Sequence, residues 1–237
     1  MNIIEPEVQI RNFNSSEILK NLERAGRTCY KSEDKITEKS AENFIKTIIN
    51  SGHYSVLEHE TIQVKFICDR AITHELVRHR IGVAYSQEST RYCNYNLNKF
   101  NNEITVIKPF FFDECEKRIG SVGGFGTLVS NKYDLWYFAC EHAESMYLKL
   151  IKFGATAQEA RSVLPNSLKT EIVATINIRE WRSVFMQRCL AKAHPQMRQI
   201  MIPLLLELKL RLPVLFDDIN FDTKFDVNNY AKVVYYE

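Results

Sequence analysis

The chain has 237 residues, of which 45% are hydrophobic and 25% are charged, and its formal net charge is +2. A chain of this length and composition can bury a core of its own, which excludes a disordered or fibrous protein. It has no apolar run of about 18 residues, and its first residues lack the basic-then-apolar pattern of a secretion signal. The small net charge disfavours a general nucleic-acid binder. We therefore expect a cytoplasmic protein with neither a membrane nor a nucleic acid as its partner.

Apolar spacing in the N-terminal half predicts helices over residues 18–25, closed by Gly26, and over 41–49. Residues 61–67 alternate between apolar and polar side chains, which is the period of a half-buried strand. The following segments are expected to be a helix over 70–81, a polar loop over 85–98 and a strand over 104–109.

Half of the eight glycines lie between Gly120 and Gly126 without the G-x-G-x-x-G spacing, which predicts a surface loop and not a nucleotide-binding turn. Thr156 and Glu159 have the spacing of a capping box. The other expected elements are a helix over 133–153, a strand over 170–177, a helix over 178–192 and a helical tail over about 198–237. Because strands and helices do not alternate regularly, we predict an α+β fold in a single domain over 1–237, with mixed helices around an antiparallel sheet.

The cysteines form no C-x-x-C pair, which predicts free thiols in a reducing compartment. Each of them is expected to be a small buried hydrophobic residue and not a nucleophile. They are Cys29, Cys68, Cys93, Cys115, Cys140 and Cys189.

The densest polar cluster of the sequence runs from His74 to Arg80. His74 and His79 are five positions apart, about 140° around a helix, so they cannot hold one metal as an H-E-x-x-H motif does, and no metal site is predicted. Glu75 and Arg78 are three apart and can either pair or both face a ligand. The hydroxyl and guanidinium groups of residues 86–92 suit a phosphorylated ligand, because arginine binds phosphate oxygens in a fork.

A second polar cluster follows the strand predicted over 170–177 and contains Asn177, Arg179 and Arg182. Helical spacing places Arg188 on the same stripe as Trp181, and therefore on an apolar face. A guanidinium group in that position snorkels, pairs with an acid or meets a bound anion. A structural ion pair and a ligand contact both remain open for Arg188.

The sequence resembles the flavin-dependent thymidylate synthases, through a series of motifs in order over about residues 25 to 198. They are Arg27-Thr-Cys-Tyr30, Gly52-His53-x-Ser55-x-x-Glu58-His59, Arg78-His79-Arg80 with Ser89-Thr-Arg-Tyr92, Ala160-Arg161-x-x-Leu-Pro165, Asn177-x-Arg179, and Arg188 before His194-Pro-Gln196. The chain departs from the family pattern at three places. Eight residues, and not the usual seven, separate Arg80 from Ser89, while Glu75 replaces a frequent Gln and Ser183 a frequent Asn or His.

The resemblance implies a homotetramer with active sites shared between subunits, which converts dUMP to dTMP. Each site would bind FAD, with NADPH and 5,10-methylenetetrahydrofolate as co-substrates. It also implies a role for each matching residue. Arg188 would be the catalytic residue that polarises the uracil ring. The residues implied for FAD are Ser55, Arg78, His79, Arg80, Gln87, Asn177, Arg179 and Ser183. Those implied for dUMP are Glu75, Arg78, Gln87, Ser89, Thr90, Arg91, Arg161 and Arg188.

Two other functions are compatible with the sequence. A flavoprotein of the same fold that makes a different C5-modified pyrimidine nucleotide needs the same activation of the ring. A single-stranded nucleic-acid binder could use the arginines as backbone clamps and the 11 tyrosines as stacking platforms.

Overall fold

The structure is a computed structural model that describes residues 1–112 and 131–237. Its strands are β1 Asn2–Ile4, β2 Glu7–Arg11, β3 Thr61–Asp69, β4 Val83–Gln87, β5 Thr105–Ile107, β6 Lys169–Asn177 and β7 Lys232–Tyr236. Its α-helices are α1 Ser15–Tyr30, α2 Ser40–Asn50, α3 Arg70–Leu76, α4 Lys132–Lys152, α5 Ala157–Ala160, α6 Ile178–Arg188, α7 Pro195–Arg211 and α8 Pro213–Phe216. This element set confirms the α+β class. The loop predicted at Gly120–Gly126 and the thiol of Cys115 lie outside the described residues.

Most predicted elements are present, but several segments differ from the prediction. Helix α1 runs through Gly26 and ends at Tyr30, and α6 ends at Arg188 and not at residue 192. Helix α3 ends at Leu76 and not near residue 81, and β4 occupies part of the segment predicted as a loop. The tail is α-helical only as far as Phe216, then contains the 3-10 helix Val227–Asn229 and ends in β7. Neither β4 nor β7 has the clean apolar alternation that reveals a half-buried strand, because both lie at edges of a sheet.

The main sheet has five strands in the order β4-β6-β3-β2-β7. The prediction of an antiparallel sheet is wrong, because β2 and β7 pair in parallel, from Glu7 opposite Lys232 to Arg11 opposite Tyr236. Strands β1 and β5 also pair in parallel, in a separate two-stranded sheet. Parallel partners are joined by long crossovers, so no local turn pattern in the sequence indicates their pairing.

The described chain divides into two compact units. The first contains Met1–Pro6, Ile67–His74 and the described part of Gln87–Glu171, and the second contains Glu7–Phe66, Glu75–Ser86 and Ile172–Glu237. The single domain predicted over residues 1–237 stays a prediction.

The first unit has a core of fully or nearly buried side chains from β5, from α4 and from the segments that precede β5 and follow α4. It includes Tyr95, Val106, Cys140 and Tyr147. The Tyr147 hydroxyl accepts a hydrogen bond from the Tyr95 backbone nitrogen at 3.3 Å, which satisfies a polar group inside this core.

Several buried aromatic side chains hold α6 in place within the second unit. Trp181 and Phe185 are one helical turn apart and stack at 5.3 Å between ring centroids, and Phe216 meets Phe185 edge-on. The Trp181 indole donates to the backbone oxygen of Ile62 at 3.0 Å, which ties α6 to β3. The burial of this face sets the direction of every other side chain on α6.

The thiols partly follow the prediction. Cys68, Cys140 and Cys189 are buried and Cys93 is half-buried, but Cys29 is exposed because it lies on the solvent side of α1. Among the described residues, no helix combines the length and the apolar character needed to span a membrane.

Candidate functional site

Two adjoining clefts of the second unit contain most of the polar residues from the two sequence clusters. The narrower cleft, of about 430 Å³, is lined by residues 78–81 together with Glu180, Ser183, Gln187 and Arg188. Three arginines and one glutamate line it, so its charge favours an anionic ligand. Residues that are about 100 positions apart in the sequence therefore meet at one place.

Arg188 is the last residue of α6, and its side chain is only 14% exposed. Its Nη1 donates to the Glu75 carboxylate at 2.9 Å, and its Nη2 donates to the Glu75 backbone oxygen at 3.0 Å. Its Nε donates to Nε2 of His79 at 3.1 Å. An arginine has five N–H groups, so within the described residues one hydrogen on each terminal nitrogen has no assigned acceptor. Arg188 thus has an acidic partner and also lines the cleft.

The segment Arg78-His79-Arg80 lies in a turn and not on a helix, which corrects the prediction over 70–81. The turn is closed by backbone bonds from residues 78 and 79 to the carbonyl oxygens of Glu75 and Leu76. The Tyr85 hydroxyl shares its single hydrogen between the Leu76 carbonyl at 2.9 Å and the His79 carbonyl at 3.2 Å. These bonds satisfy the carbonyl groups at the end of the helix. Because the helix stops early, Glu75 pairs with Arg188 and not with Arg78.

The imidazole of His79 is buried and lies between two charged side chains. Its Nδ1 is 2.9 Å from Oε1 of Glu180, and its Nε2 accepts from Arg188. Burial lowers the pKa of His79 from its ordinary value of 6.5; Arg188 and Arg78 add to this effect, while Glu180 opposes it. The ring is therefore neutral at pH 7.

Asn177 connects the end of β6 to the start of α6. Its side chain accepts from the Glu180 backbone nitrogen at 2.8 Å, which caps the helix, and its own backbone nitrogen donates to the Gly82 oxygen at 2.9 Å. Gly82 has a φ of +65°, and a Cβ added there would overlap the Asn177 amide. A glycine is required at position 82 for this close approach.

The wider cleft, of about 690 Å³, shares Ile81, Glu180, Ser183 and Gln187 with the narrower one. Asn177 and Arg179 line it from the start of α6, and Arg179 forms an exposed ion pair with Glu58. Ser55 is exposed on the 3-10 helix Tyr54–His59, two residues of which line this cleft.

The remaining predicted substrate residues belong to the first unit. Gln87 donates to the hydroxyl groups of Thr73 and Thr170, at 3.0 and 3.3 Å. Arg161 donates to the Thr90 hydroxyl at 3.3 Å. The Ser89 hydroxyl accepts from the Arg91 backbone nitrogen at 3.3 Å, and the Arg91 guanidinium lies 5.6 Å from the Tyr92 ring centroid.

Two residues of this arrangement were not predicted from the sequence. Glu180 pairs with His79, and Tyr85 braces the turn that carries the arginines. Glu180 has a sequence signal, because Asn177 followed three positions later by a glutamate is a helix-start signature. Tyr85 has none, since nothing in a polar aromatic segment marks a bond to carbonyl groups six and nine residues earlier.

The chain matches the family description "Thymidylate synthase complementing protein" over residues 14–214. It is 33% identical over 218 residues to a flavin-dependent thymidylate synthase of Corynebacterium aurimucosum. The aligned region covers 90% of this chain and 85% of that protein.

Two solved structures share the fold at low identity. The flavin-dependent thymidylate synthase of Helicobacter pylori, complexed with FAD and dUMP, has a TM-score of 0.66 and 21% identity, over 90% of this chain and 99% of the other. The UMP/dUMP methylase PolB of Streptomyces cacaoi, bound with 5-Br dUMP, has a TM-score of 0.69 and 18% identity, over 92% and 96%.

Proposed function

This chain belongs to the family of thymidylate synthase complementing proteins, and from that membership we propose that it is a flavin-dependent thymidylate synthase. The reaction is the reductive methylation of dUMP to dTMP. The one-carbon unit comes from 5,10-methylenetetrahydrofolate, and NADPH is the final source of the hydride. The observation that carries the proposal is the convergence of motif residues 78–80 and 177–188 on two adjoining clefts.

The donor set of these clefts fits FAD, which carries two phosphate groups and an isoalloxazine ring with several hydrogen-bonding atoms. Arg78, Arg80 and Arg179 are guanidinium donors that suit phosphate oxygens, while Asn177 and Ser183 offer amide and hydroxyl groups. A cleft of about 690 Å³ is within the usual range for small-molecule sites. Ser55, His79 and Gln87 complete the FAD-binding set that the family motifs propose.

When FAD is bound and reduced, it supplies the hydride that completes the methyl group. The chain itself has to make carbon 5 of uracil nucleophilic, and this requires negative charge to build up on the ring. The guanidinium group of Arg188 lines the cleft, and among the described residues one hydrogen on each of its terminal nitrogens has no assigned acceptor. These hydrogens can donate to a uracil carbonyl oxygen on which negative charge develops. A fixed donor of this kind contributes about 2.7–4 kcal/mol to catalysis.

The same proposal assigns the dUMP contacts. In the second unit these are Glu75, Arg78 and Arg188, with Arg188 at the uracil ring. In the first unit they are Gln87, Ser89, Thr90, Arg91 and Arg161, with Arg91 and Ser89 near the phosphate. The homotetramer with shared active sites, the folate co-substrate, the absence of a nucleic-acid partner and the cytoplasmic location are further parts of the proposal.

The test begins with the purified protein as it is expressed. We expect a yellow preparation with a flavin spectrum that NADPH bleaches under anaerobic conditions. With dUMP and methylenetetrahydrofolate, we expect a nucleotide product with the mass of dTMP. Omission of dUMP is the control for uncoupled oxidation of NADPH. Replacement of dUMP by UMP tests whether the enzyme discriminates between deoxyribose and ribose.

Other results separate the alternatives. A colourless protein that gains no flavin absorbance when FAD is added contradicts the proposal and favours the nucleic-acid binder. A flavoprotein whose product carries the mass of a hydroxymethyl group is instead an enzyme for a different C5 modification. Size-exclusion chromatography with light scattering tests the tetramer independently of the reaction.

A further inference from the structure

Glu180 belongs to none of the motifs that carry the family resemblance, yet its carboxylate lies at the centre of the candidate site. It is in the first turn of α6, and its side chain is 15% exposed. The Oε1 atom is 2.9 Å from Nδ1 of His79, whose side chain is 5% exposed. The partner of a buried imidazole decides which ring nitrogen carries the proton.

The contact on the other side of the ring identifies the tautomer. Arg188 Nε is a donor and cannot accept, so His79 Nε2 must present a lone pair at the observed 3.1 Å. The single ring proton is then on Nδ1, and the N–H group donates to Glu180. A proton on Nε2 would place two donors against each other. The order Glu180, His79, Arg188 is therefore consistent with only one tautomer of a neutral ring.

We propose that Glu180 is a positioning residue for Arg188, acting through the tautomer of His79. This inference rests on the proposed function, because it concerns the guanidinium group that faces the uracil ring. Arg188 is anchored at three atoms: by the Glu75 carboxylate, by the Glu75 carbonyl and by His79. The first two anchors hold the tip of the guanidinium group, and within the described residues His79 holds its Nε, which sets the plane of the guanidinium group.

A simple salt bridge does not explain the contact between Glu180 and His79. Burial lowers the pKa of His79, so the ring is neutral and the contact is a hydrogen bond to a carboxylate. Such outer partners orient the groups that touch a ligand, and in metal sites their loss typically changes affinity or activity about 10- to 100-fold. We expect an effect of that order here.

The first measurement is the tautomer of His79 in the protein as purified, without added dUMP or folate. Nitrogen NMR of protein labelled at its six histidines distinguishes a protonated ring nitrogen from an unprotonated one, and the variant His79→Asn identifies the His79 signals. We expect the proton on Nδ1 in the wild type. In Glu180→Ala we expect a substantial population with the proton on Nε2. In Glu180→Gln the amide oxygen can still accept from Nδ1, so we expect the wild-type tautomer.

The second measurement is turnover. We expect kcat for dTMP formation to fall about 10- to 100-fold in Glu180→Ala, with a smaller change in KM for dUMP, and to recover in Glu180→Gln. The matched control is Glu17→Ala, which removes an exposed carboxylate from the first turn of another helix, α1. A general loss of stability would lower the folded fraction in Glu180→Ala without moving the tautomer.

The proposal is overturned if wild-type His79 carries its proton on Nε2, a result that needs no variant to fold. It is also overturned if Glu180→Ala leaves the tautomer unchanged, or shifts it without lowering kcat. A wild-type protein that makes no dTMP contradicts the proposed function instead. In that case the tautomer still reports whether Glu180 orders this network.

Discussion

The guanidinium group of Arg188 forms an ion pair with Glu75, and its Nη1 donates to the Glu75 carboxylate at 2.9 Å. Glu75 is 30% exposed and Arg188 14%, so the pair is only partly shielded from water. Both side chains retain some contact with water, which weakens their mutual attraction relative to a dry interior. The pairing therefore restrains the direction of the cation, and its charge still acts on a group that binds in the cleft.

Replacement of Arg188 tests that charge directly. We expect Arg188→Ala to lower kcat about 100- to 1000-fold, because it removes a donor aimed at developing negative charge. Arg188→Lys keeps the charge but lacks Nε and the planar fork, so we expect an intermediate rate. Steady-state dTMP formation is the measurement, and flavin absorbance shows that FAD is still bound. An Arg188→Ala enzyme with the wild-type rate would remove Arg188 from the mechanism.

Cys189 follows Arg188 directly and tests whether a thiol takes part. It is fully buried, and burial strongly raises the pKa of its thiol, so it has no appreciable thiolate at pH 7. We expect Cys189→Ala to retain most of the turnover. A loss comparable to that of Arg188→Ala would indicate a nucleophile and would contradict catalysis by electrostatics alone.

Gly82 connects the turn of residues 78–80 to the cap of α6. In Gly82→Ala we expect a cost of about 1–3 kcal/mol for the positive φ, and more because the Asn177 cap has to move. Gly52→Ala is the matched control, since its φ of +72° is similar and no atom lies within 4 Å of the added Cβ. Urea denaturation measures both free energies of unfolding. Equal losses would show that the contact with Asn177 adds no cost.

The sequence was sufficient for elements whose signals are local. Helix α4 and strand β6 agree with the prediction to within one or two residues, and the capping box of Thr156 and Glu159 is formed on both sides. Each of these follows from the spacing of neighbouring side chains. The two clusters of polar residues around 78–80 and 177–188 could also be recognised in the sequence, because dense polar residues beside apolar stripes are unusual.

What the sequence could not reveal depends on contacts between distant segments. Strand β7 pairs with β2 across more than two hundred residues, and no local pattern encodes that partner. Whether Glu75 pairs with Arg188 or with Arg78 depends on where α3 ends, and the hydroxyl of Tyr85, nine residues after Leu76, stabilises that end. Arg182 was grouped with the site arginines, yet its guanidinium forms an ion pair with Asp218.

The lowered pKa of His79 also predicts how stability changes with pH. Burial is its largest cause, with Arg188 and Arg78 adding to it and Glu180 opposing it. Between the folded pKa and 6.5, the unfolded chain binds a proton at this position and the folded chain does not. The free energy of unfolding therefore rises with pH through that window. The contribution of His79 to the free energy of unfolding is therefore present above pH 6.5 and is lost as the pH falls through the folded pKa.

The variant His79→Asn isolates the pH-dependent contribution of His79 to the free energy of unfolding, because every other titrating group is shared with the wild type. We expect the wild type to lose more stability than His79→Asn between about pH 7.5 and about pH 5.5. Urea unfolding at the two pH values gives the double difference, in which the pH-independent cost of losing the imidazole cancels. Equal losses would mean that folded His79 titrates with an ordinary pKa. The ring would then be partly charged near neutral pH, and its Nε2 would no longer accept from Arg188 throughout the population.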